Sequence, residues 1–494
     1  MASASITWLS RIVQANGRAV VPAWTAFFLR LGIGVVLMLL LPVVGYSESQ
    51  EHQAGYFYHD AYTRDTQAWQ LADSSAPLSR AFTEPYSGDQ YGGTLALSAT
   101  VYRFLSPDFH RPFLILILTA SASAWGTLLL WYASRAWFGD KTASTAAWIF
   151  ALYPEAVLLG SSQMRESFVM AAIGMSFYGL VRLQETRMPT YAGRPWGWLA
   201  WLAAAGGILF AFQPPLALYA FIILFGLWLL DPNRQPLRAR KGTLAVGIFF
   251  VAVLAVSFFV LLLAWSNLPS LQNVGPLEIL NAWLQNNFNF QTFLTERSSG
   301  MFQKLLQDTG EQWRALIVLA YGTAQPVLPA IVGDPQAAWI MRIAGFLRSS
   351  GWYLLAPFLV YGLLAALRAS QEIRRPQLLW LSGMIWLWIF TAALSAGGDQ
   401  WDNPRYRTLL LTWEALVAAW ALRWALLRKD VWLWCWLLVE AIFIVLFTAW
   451  YLARYYHSLP NLGIWMTLMI GLGLSLLILA GGWWWDRRQR RVRL

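Results

Sequence analysis

Cysteine, histidine and charged residues are all scarce in this 494-residue chain, which has one cysteine, four histidines and 12% charged residues. The single Cys435 lies inside an apolar run, which excludes an intramolecular disulfide and a thiol metal site. His52, His59, His110 and His457 lack metal-ligand spacing, and the sequence has no zinc, P-loop or dinucleotide-binding motif. An average soluble domain has about one-quarter charged residues, so the composition argues against a soluble protein.

Long apolar runs fill the chain instead, and 58% of its residues are hydrophobic. Each run is about 20 residues long, enough to cross a hydrocarbon core of roughly 30 Å as a helix. The sequence therefore predicts an all-α integral membrane protein with about twelve transmembrane helices. The predicted spans lie near residues 22–45, 112–132, 143–161, 167–183, 197–212, 215–231, 243–265, 351–369, 378–396, 408–426, 431–453 and 462–485.

The formal net charge of +11 has a topological explanation. Most of the 36 Lys and Arg residues fall on one side of the predicted helices, and that side is cytoplasmic by the positive-inside rule. These residues are spread over short loops and the tail rather than one folded face, which argues against a nucleic acid partner. We expect a multi-pass protein of the cytoplasmic (plasma) membrane with both termini in the cytoplasm.

The predicted topology divides the chain into three regions and leaves two long outer loops, where function usually lies. Residues 1–20 lack the apolar core and cleavage site of a signal peptide, so the first apolar run is expected to remain as an anchor. The regions are an N-terminal transmembrane module at 1–270 with the first outer loop at 46–111, a second outer loop at 271–350, and C-terminal transmembrane helices with a basic cytoplasmic tail at 351–494.

The second outer loop contains one apolar stretch, Trp313–Val332, that does not fit as another span. A span there would move the next basic loop to the outside, and Gly322, Pro326 and Pro329 would interrupt its helix. Such a segment is tolerated at membrane depth only where protein or a wet cavity covers its backbone. It is predicted to be a re-entrant or interfacial pair of short helices.

The first outer loop contains the first candidate site. On a helix, Tyr62, Asp65, Trp69 and Ala72 are three or four residues apart and share one face, which sets a carboxylate beside aromatic rings. Asp65 is a candidate general base towards an acceptor hydroxyl, and Asp60 is the second candidate. The alternatives are an ordinary amphipathic surface helix and, for Asp60, a helix N-cap.

A second candidate site lies at the turn between the third and fourth predicted spans. Glu155 follows Tyr-Pro inside the outer half of a span, where an ionisable group is costly and suggests function. Arg165 and Glu166 occupy the turn itself, and the guanidinium of Arg165 suits the phosphate oxygens of a lipid headgroup. The alternative is a structural pair of Arg165 with Glu166 or with Glu155.

A third candidate site is the late outer turn Asp-Asn-Pro-Arg-Tyr-Arg at residues 402–407. Arg405 and Arg407 flank an aromatic residue and are placed to clamp a diphosphate or a phosphosugar, while Pro404 stiffens the turn. Anchoring of the turn to lipid headgroups is the alternative reading of the same residues.

With these residues in place, the chain resembles the GT-C superfamily of membrane glycosyltransferases, in particular the protein O-mannosyltransferase and aminoarabinose transferase group. The likeness lies in the layout: a first span, a long outer loop with Asp60 and Asp65…Trp69, the Tyr-Pro-Glu…Arg165-Glu166 stretch, and the late Arg405-Tyr-Arg407 turn. It is best over residues 20–270. Many relatives have adjacent acidic residues in the first loop, whereas Asp60 and Asp65 are five apart.

The resemblance implies a glycosyltransferase that moves a sugar from a polyprenyl-phosphate donor to a glycan, lipid or protein acceptor on the non-cytoplasmic face. Asp65 or Asp60 would act as the base, and Arg165 with Arg405 or Arg407 would stabilise the departing phosphate. An acceptor or sugar pocket would use Tyr62, Trp69, Glu155 and Glu166. The spacing of the two aspartates leaves open which is the base and whether a divalent cation, Mg or Mn, takes part.

Three other classes of protein fit the same spans. A polymerase or ligase of lipid-linked glycans would work on the same face of the membrane. A transporter usually has paired repeats with broken helices at matching positions, and only one interruption, near Pro326, is evident. A scaffold subunit would keep the spans without the chemistry.

Overall fold

The fold is described from a computed structural model of the chain. It describes residues 2–83, 86, 89, 91–186, 195–232, 241–266, 278, 311–333, 337–396, 399–457, 460 and 462–493. Within these ranges the chain is helical and has no β-strand. The predicted cytoplasmic loops around 187–194 and 233–240, and most of the predicted second outer loop up to residue 310, lie outside the described residues.

The described helices follow the apolar runs of the sequence. The N-terminal part contains α1 (Ala2–Ile12), α2 (Gly17–Val44), α3 (Gln50–Gln53), α4 (His59–Asp73), a 3₁₀ turn (Leu78–Phe82), α5 (Gly93–Leu105), α6 (Phe113–Leu152), α7 (Pro154–Ser161), α8 (Glu166–Glu185), α9 (Trp196–Phe212), α10 (Pro214–Leu229) and α11 (Lys241–Ser266). The later part contains α12 (Arg314–Ala324), α13 (Leu328–Gly333), α14 (Trp339–Arg368), α15 (Arg375–Ala396), α16 (Asp402–Thr408), α17 (Leu411–Arg428), α18 (Val431–Tyr456) and α19 (Ile464–Arg493).

These helices confirm a multi-pass, all-helical membrane protein over the described residues. Seven of them are long and apolar enough to cross a membrane, or eight if the bent pair α16 and α17 forms one span. The shorter apolar helices include α9, α10 and α12. All twelve predicted segments lie on helices, but the number that span the bilayer remains a prediction.

The predicted spans at 112–132 and 143–161 are separated at Gly139, whose φ of 79° and ψ of 174° are not helical, so α6 consists of two helical parts joined by a kink. The second of these spans is interrupted again at Pro154, which has no backbone N–H to bond the carbonyl four residues earlier. The buried Arg30 of α2 supplies the missing donors, since its guanidinium bonds the carbonyls of Phe150 and Ala151 at 3.2 and 2.9 Å.

The helices of the membrane region surround α6, which packs along α2, α8 and α17. Helices α18 and α19 pair with each other at one side, and only 17% of the apolar window of each is buried. Their outward side chains are therefore suited to lipid contact, and the buried apolar core lies among α6, α8, α10, α15 and α17.

The predicted first outer loop folds into a small unit, named the outer unit after that prediction, in which α4 packs on α5 through Ala68, Leu71 and Tyr102. Arg103 of α5 completes this unit by donating to the carbonyls of Leu71 and Ala72 at the end of α4. The aromatic segment before α4 is buried against α2, α7 and α14. The start of α4 therefore lies where the outer unit meets the membrane helices.

The stretch predicted as an interrupted pair of short helices forms α12 and α13, with Gln325 and Pro326 between them. Its depth relative to the bilayer remains a prediction. Asn403 and Arg407 of α16 hold this break by donating to the carbonyls of Gly322 and Gln325 at 2.8 and 3.0 Å. Polar side chains from a neighbouring helix thus satisfy backbone groups that an irregular segment leaves free.

Candidate functional site: a buried arginine cluster where three helices meet

Arg405 of α16 joins three elements that are distant in sequence. Its Nη1 lies 2.7 Å from a carboxylate oxygen of Asp60 at the start of α4. Its Nε donates to the carboxylate of Glu166, the first residue of α8, at 2.5 Å. Asp402 is further away, at 3.6 Å. Arg405 and Glu166 are 5% and 2% exposed, whereas the Asp60 side chain is 52% exposed, so the cluster opens on the Asp60 side.

Arg165 enters the cluster from the tight turn between α7 and α8. Gln163 has a φ of 56°, a left-handed conformation that turns the chain sharply before α8 begins. The Nη1 of Arg165 lies 3.4 Å from Asp89, and its guanidinium lies over the ring of Tyr91 at 5.2 Å. Its Nε is buried and has no hydrogen-bond partner in the described part of the chain.

Arg64 is a member of the cluster that the sequence reasoning missed. It is 4% exposed, and its Nη2 lies 3.6 Å from the sulfur of Met164. Its Nη1 is buried without a partner among the described residues. The available signal was its spacing, because a residue four positions after Asp60 lies on the same helix face.

The charged groups of this cluster act on one another. Burial alone raises the pKa of the Asp60 carboxyl, but the charge and hydrogen bond of Arg405, with Arg64 and Arg165 beyond, together lower it. Arg64, Arg165 and Arg405 face Asp60, Asp89 and Glu166. Arg64 Nη1 and Arg165 Nε nevertheless have no acceptor among the described residues, which is costly in a buried site.

Asp65 lies apart from the arginine cluster, on another face of α4. It is 3% exposed and accepts hydrogen bonds from the hydroxyls of Tyr56 and Tyr102. His110 Nε2 is 2.8 Å from the same carboxylate. A carboxylate that is contacted by three polar groups and closed to solvent is poorly placed to contact an acceptor substrate.

The two aromatic candidates on α4 also lie outside the arginine cluster. The ring of Trp69 stacks on His110 with centroids 5.2 Å apart. Tyr62 makes an edge contact with Tyr56 at 5.6 Å. Both residues therefore surround Asp65 and its partners rather than Asp60.

Glu155 and Arg407 have separate structural partners. Glu155 is 1% exposed and forms a two-contact ion pair with Arg348 of α14, whose guanidinium also lies over Trp401 at 4.5 Å. Arg407 is fully buried, donates to carbonyls of the α12–α13 break and lies over Trp352. The structure does not bring Arg407 to the cluster of Arg165 and Arg405.

The pairing considered between Arg165 and either Glu155 or Glu166 is not found, because Arg165 pairs with Asp89. No group of three His, Cys, Asp or Glu side chains in the described ranges is placed to hold a metal ion. The carboxylates of Asp60 and Glu166 are instead joined by a guanidinium.

Comparisons with known proteins give a likeness to solved structures. No protein-family model and no curated protein matches the chain. Two solved structures of the oligosaccharyltransferase AglB from Archaeoglobus fulgidus are similar, one in complex with an inhibitory peptide and a dolichol-phosphate and one in the apo form. Each has a TM-score of 0.42 and 12% sequence identity, covering 92% of this chain and 55% of AglB. The chain thus spans about half the length of AglB, and a likeness at this level defines no activity for it.

Proposed function

We propose that the chain is a membrane glycosyltransferase that moves a sugar from a polyprenyl-phosphate donor to a hydroxyl acceptor on the non-cytoplasmic face. The observation that carries this proposal is that Arg64 Nη1 and Arg165 Nε have no partner among the described residues, in a buried cluster that opens at the half-exposed carboxylate of Asp60. A phosphate oxygen is the acceptor that such donors bind best. The outer location follows from the charge bias of the loops.

The reaction needs a base and a stabilised leaving group. The acceptor oxygen forms a bond to the anomeric carbon of the sugar, and the bond from that carbon to the phosphate oxygen breaks. The electron pair of the broken bond goes to the lipid phosphate, whose charge Arg64 and Arg165 stabilise. The acceptor hydroxyl proton goes to a carboxylate, and Asp60 is the candidate because it is open to solvent and adjoins the arginines.

The remaining members of the cluster position these two groups. Arg405 fixes the direction of the Asp60 carboxylate and ties it to Glu166 at the start of α8. Asp89 holds Arg165 and also accepts from the backbone of Thr94 and Leu95 at the start of α5. Base and phosphate-binding groups are thereby held at a fixed separation, as transfer between two bound substrates requires.

The test is a transfer assay with purified protein in proteoliposomes. Radiolabelled polyprenyl-phosphate sugars and polyprenyl-diphosphate glycans are supplied separately with total cell lipid and with soluble glycans as acceptors. We expect label to move only from the monophosphate donors, whereas transfer from diphosphate glycans would indicate a polymerase or ligase. The absence of transfer from every donor would contradict an enzyme and favour a transporter or scaffold.

Variants then test the residue assignments. Arg165→Gln and Arg64→Gln are expected to raise the donor KM by about 10-fold or more, as loss of one charge-assisted hydrogen bond costs about 1.5–3 kcal/mol. Arg80→Gln is the matched control, since Arg80 is exposed on the same outer unit. Asp60→Asn is expected to abolish transfer and leave donor binding measurable. An unchanged donor KM in both arginine variants would refute the phosphate assignment.

A further inference from the structure

The carboxylate of Asp65 holds the imidazole of His110 in place. Asp65 is buried, and the hydroxyls of Tyr56 and Tyr102 and the Nε2 atom of His110 converge on it. Burial raises the pKa of both tyrosine hydroxyls, and the nearby Asp65 carboxylate raises it further, so both remain neutral donors. These four residues come from the segment before α4, α4 itself, α5 and the segment before α6. The imidazole is therefore fixed from several sides of the outer unit.

The orientation of His110 leaves its second nitrogen available. A carboxylate only accepts hydrogen bonds, so Nε2 is assigned as the donor to Asp65, and a neutral ring keeps a lone pair on Nδ1, which has no hydrogen-bond partner among the described residues. The His110 side chain is 30% exposed. One ring face lies against Trp69, with planes 21° apart, so the ring cannot turn freely. Nδ1 is thus a hydrogen-bond acceptor on a fixed and partly exposed ring.

We propose that His110 is an acceptor-binding residue that accepts a hydrogen bond from a saccharide hydroxyl through Nδ1, and that Asp65 is its positioning residue. This inference rests on the proposed function and specifies a glycan as the acceptor class. A saccharide suits the place because its hydroxyls donate to Nδ1 while its apolar C–H faces pack on aromatic side chains such as those around His110. Asp65 then contributes through His110 and Asp60 takes the proton.

Chemical labelling tests the binding role without any donor. Diethyl pyrocarbonate modifies unprotonated imidazole, and mass spectrometry resolves His110 from His59, whose side chain is 71% exposed. Methyl glycosides of glucose, galactose and mannose are the probes. We expect at least one glycoside to slow modification of His110 and to leave His59 unchanged. Equal rates at His110 with and without every glycoside would overturn the proposal.

Kinetics of the active protein tests the same residue independently. His110→Gln is expected to raise the acceptor KM about three- to tenfold, the equivalent of one hydrogen bond, with donor KM and kcat unchanged. His59→Gln is the matched control. Asp65→Asn should raise the acceptor KM in the wild-type background and add nothing in the His110→Gln background, because an amide reverses the proton positions on the ring. A merely structural Asp65 would instead affect both backgrounds equally and both substrates.

The outcomes separate this inference from the proposed function. An unchanged acceptor KM in His110→Gln, in a protein that still transfers sugar from polyprenyl phosphate, would reject the histidine role alone. Glycoside protection of His110 in a protein that transfers sugar from no polyprenyl-phosphate donor would reject the proposed reaction alone. If Asp65→Asn does not fold, Tyr102→Phe weakens the same carboxylate network and replaces it in the test.

Discussion

Removal of Arg405 is the perturbation with the largest expected effect on the cluster. Arg405→Met deletes the guanidinium between Glu166 and Asp60, and Glu166 is 2% exposed and would keep its charge without its ion-pair partner. Removing one partner of a buried ion pair lowers the free energy of unfolding by about 3–5 kcal/mol. Asp60 contributes little to that cost because its side chain is 52% exposed and water can replace the arginine.

The double variant Arg405→Met/Glu166→Gln is the informative comparison. With both buried charges gone, most of the penalty of an unpaired charge disappears, so we expect the double variant to recover about half or more of the lost free energy of unfolding. The single variant Glu166→Gln should be milder than Arg405→Met, since Arg405 keeps Asp60 as a partner.

The free energy of unfolding is measured by titrating the purified protein with dodecyl sulfate in mixed micelles and following tryptophan fluorescence. Arg80→Met, at an exposed arginine of the outer unit, is the control and should change the free energy by less than about 0.5 kcal/mol. If Arg405→Met matched this control, or if Glu166→Gln deepened the loss instead of relieving it, the ion pair would not be the cause.

Two further predictions concern Arg407 and Asp60. Arg407→Gln should lower the free energy of unfolding by about 1–3 kcal/mol, because the carbonyl of Gln325 loses its arginine donor and that of Thr323 keeps only Trp352, while the donor KM stays unchanged. A raised donor KM at full stability would return Arg407 to the phosphate site. The pKa of Asp60 is lowered in the folded protein, so its ionised form stabilises the fold above the ordinary value of 3.8, and this contribution is lost as pH falls through the lowered value. The stability difference between wild type and Asp60→Asn should therefore be present at neutral pH and shrink in acid, and a difference independent of pH would contradict the pairing with Arg405.

The helical membrane architecture is largely predictable from the sequence because lipid imposes a simple rule. A segment in hydrocarbon must be apolar and must satisfy its own backbone, so apolar length predicts a helix. The break near Pro326 is equally local, since proline and glycine act on their own backbone. The kink at Gly139 is local as well, because only glycine readily adopts its positive φ.

The candidate site shows where sequence reasoning ends. Residue types and spacing identified Asp60, Arg165, Glu166 and Arg405 as chemically interesting, and these four lie together in the structure. The same criteria put Asp65 ahead of Asp60 as the base and offered Arg407 as an alternative to Arg405, but Asp65 and Arg407 lie elsewhere and bond other groups. Spacing along one helix assigns a residue to one face of that helix, but it does not show which residues of other helices contact that face.

The sequence by itself determined that the chain lies in lipid, that it is helical, and which few ionisable residues are candidates for a site. Each of these depends on composition or on neighbours within a few positions. Only the tertiary structure decided which carboxylate meets which guanidinium. The partners Asp60, Glu166 and Arg405 come from α4, α8 and α16, and their meeting depends on how those helices pack. Ion pairs between distant segments are fixed by packing geometry, and no local pattern in the chain encodes them.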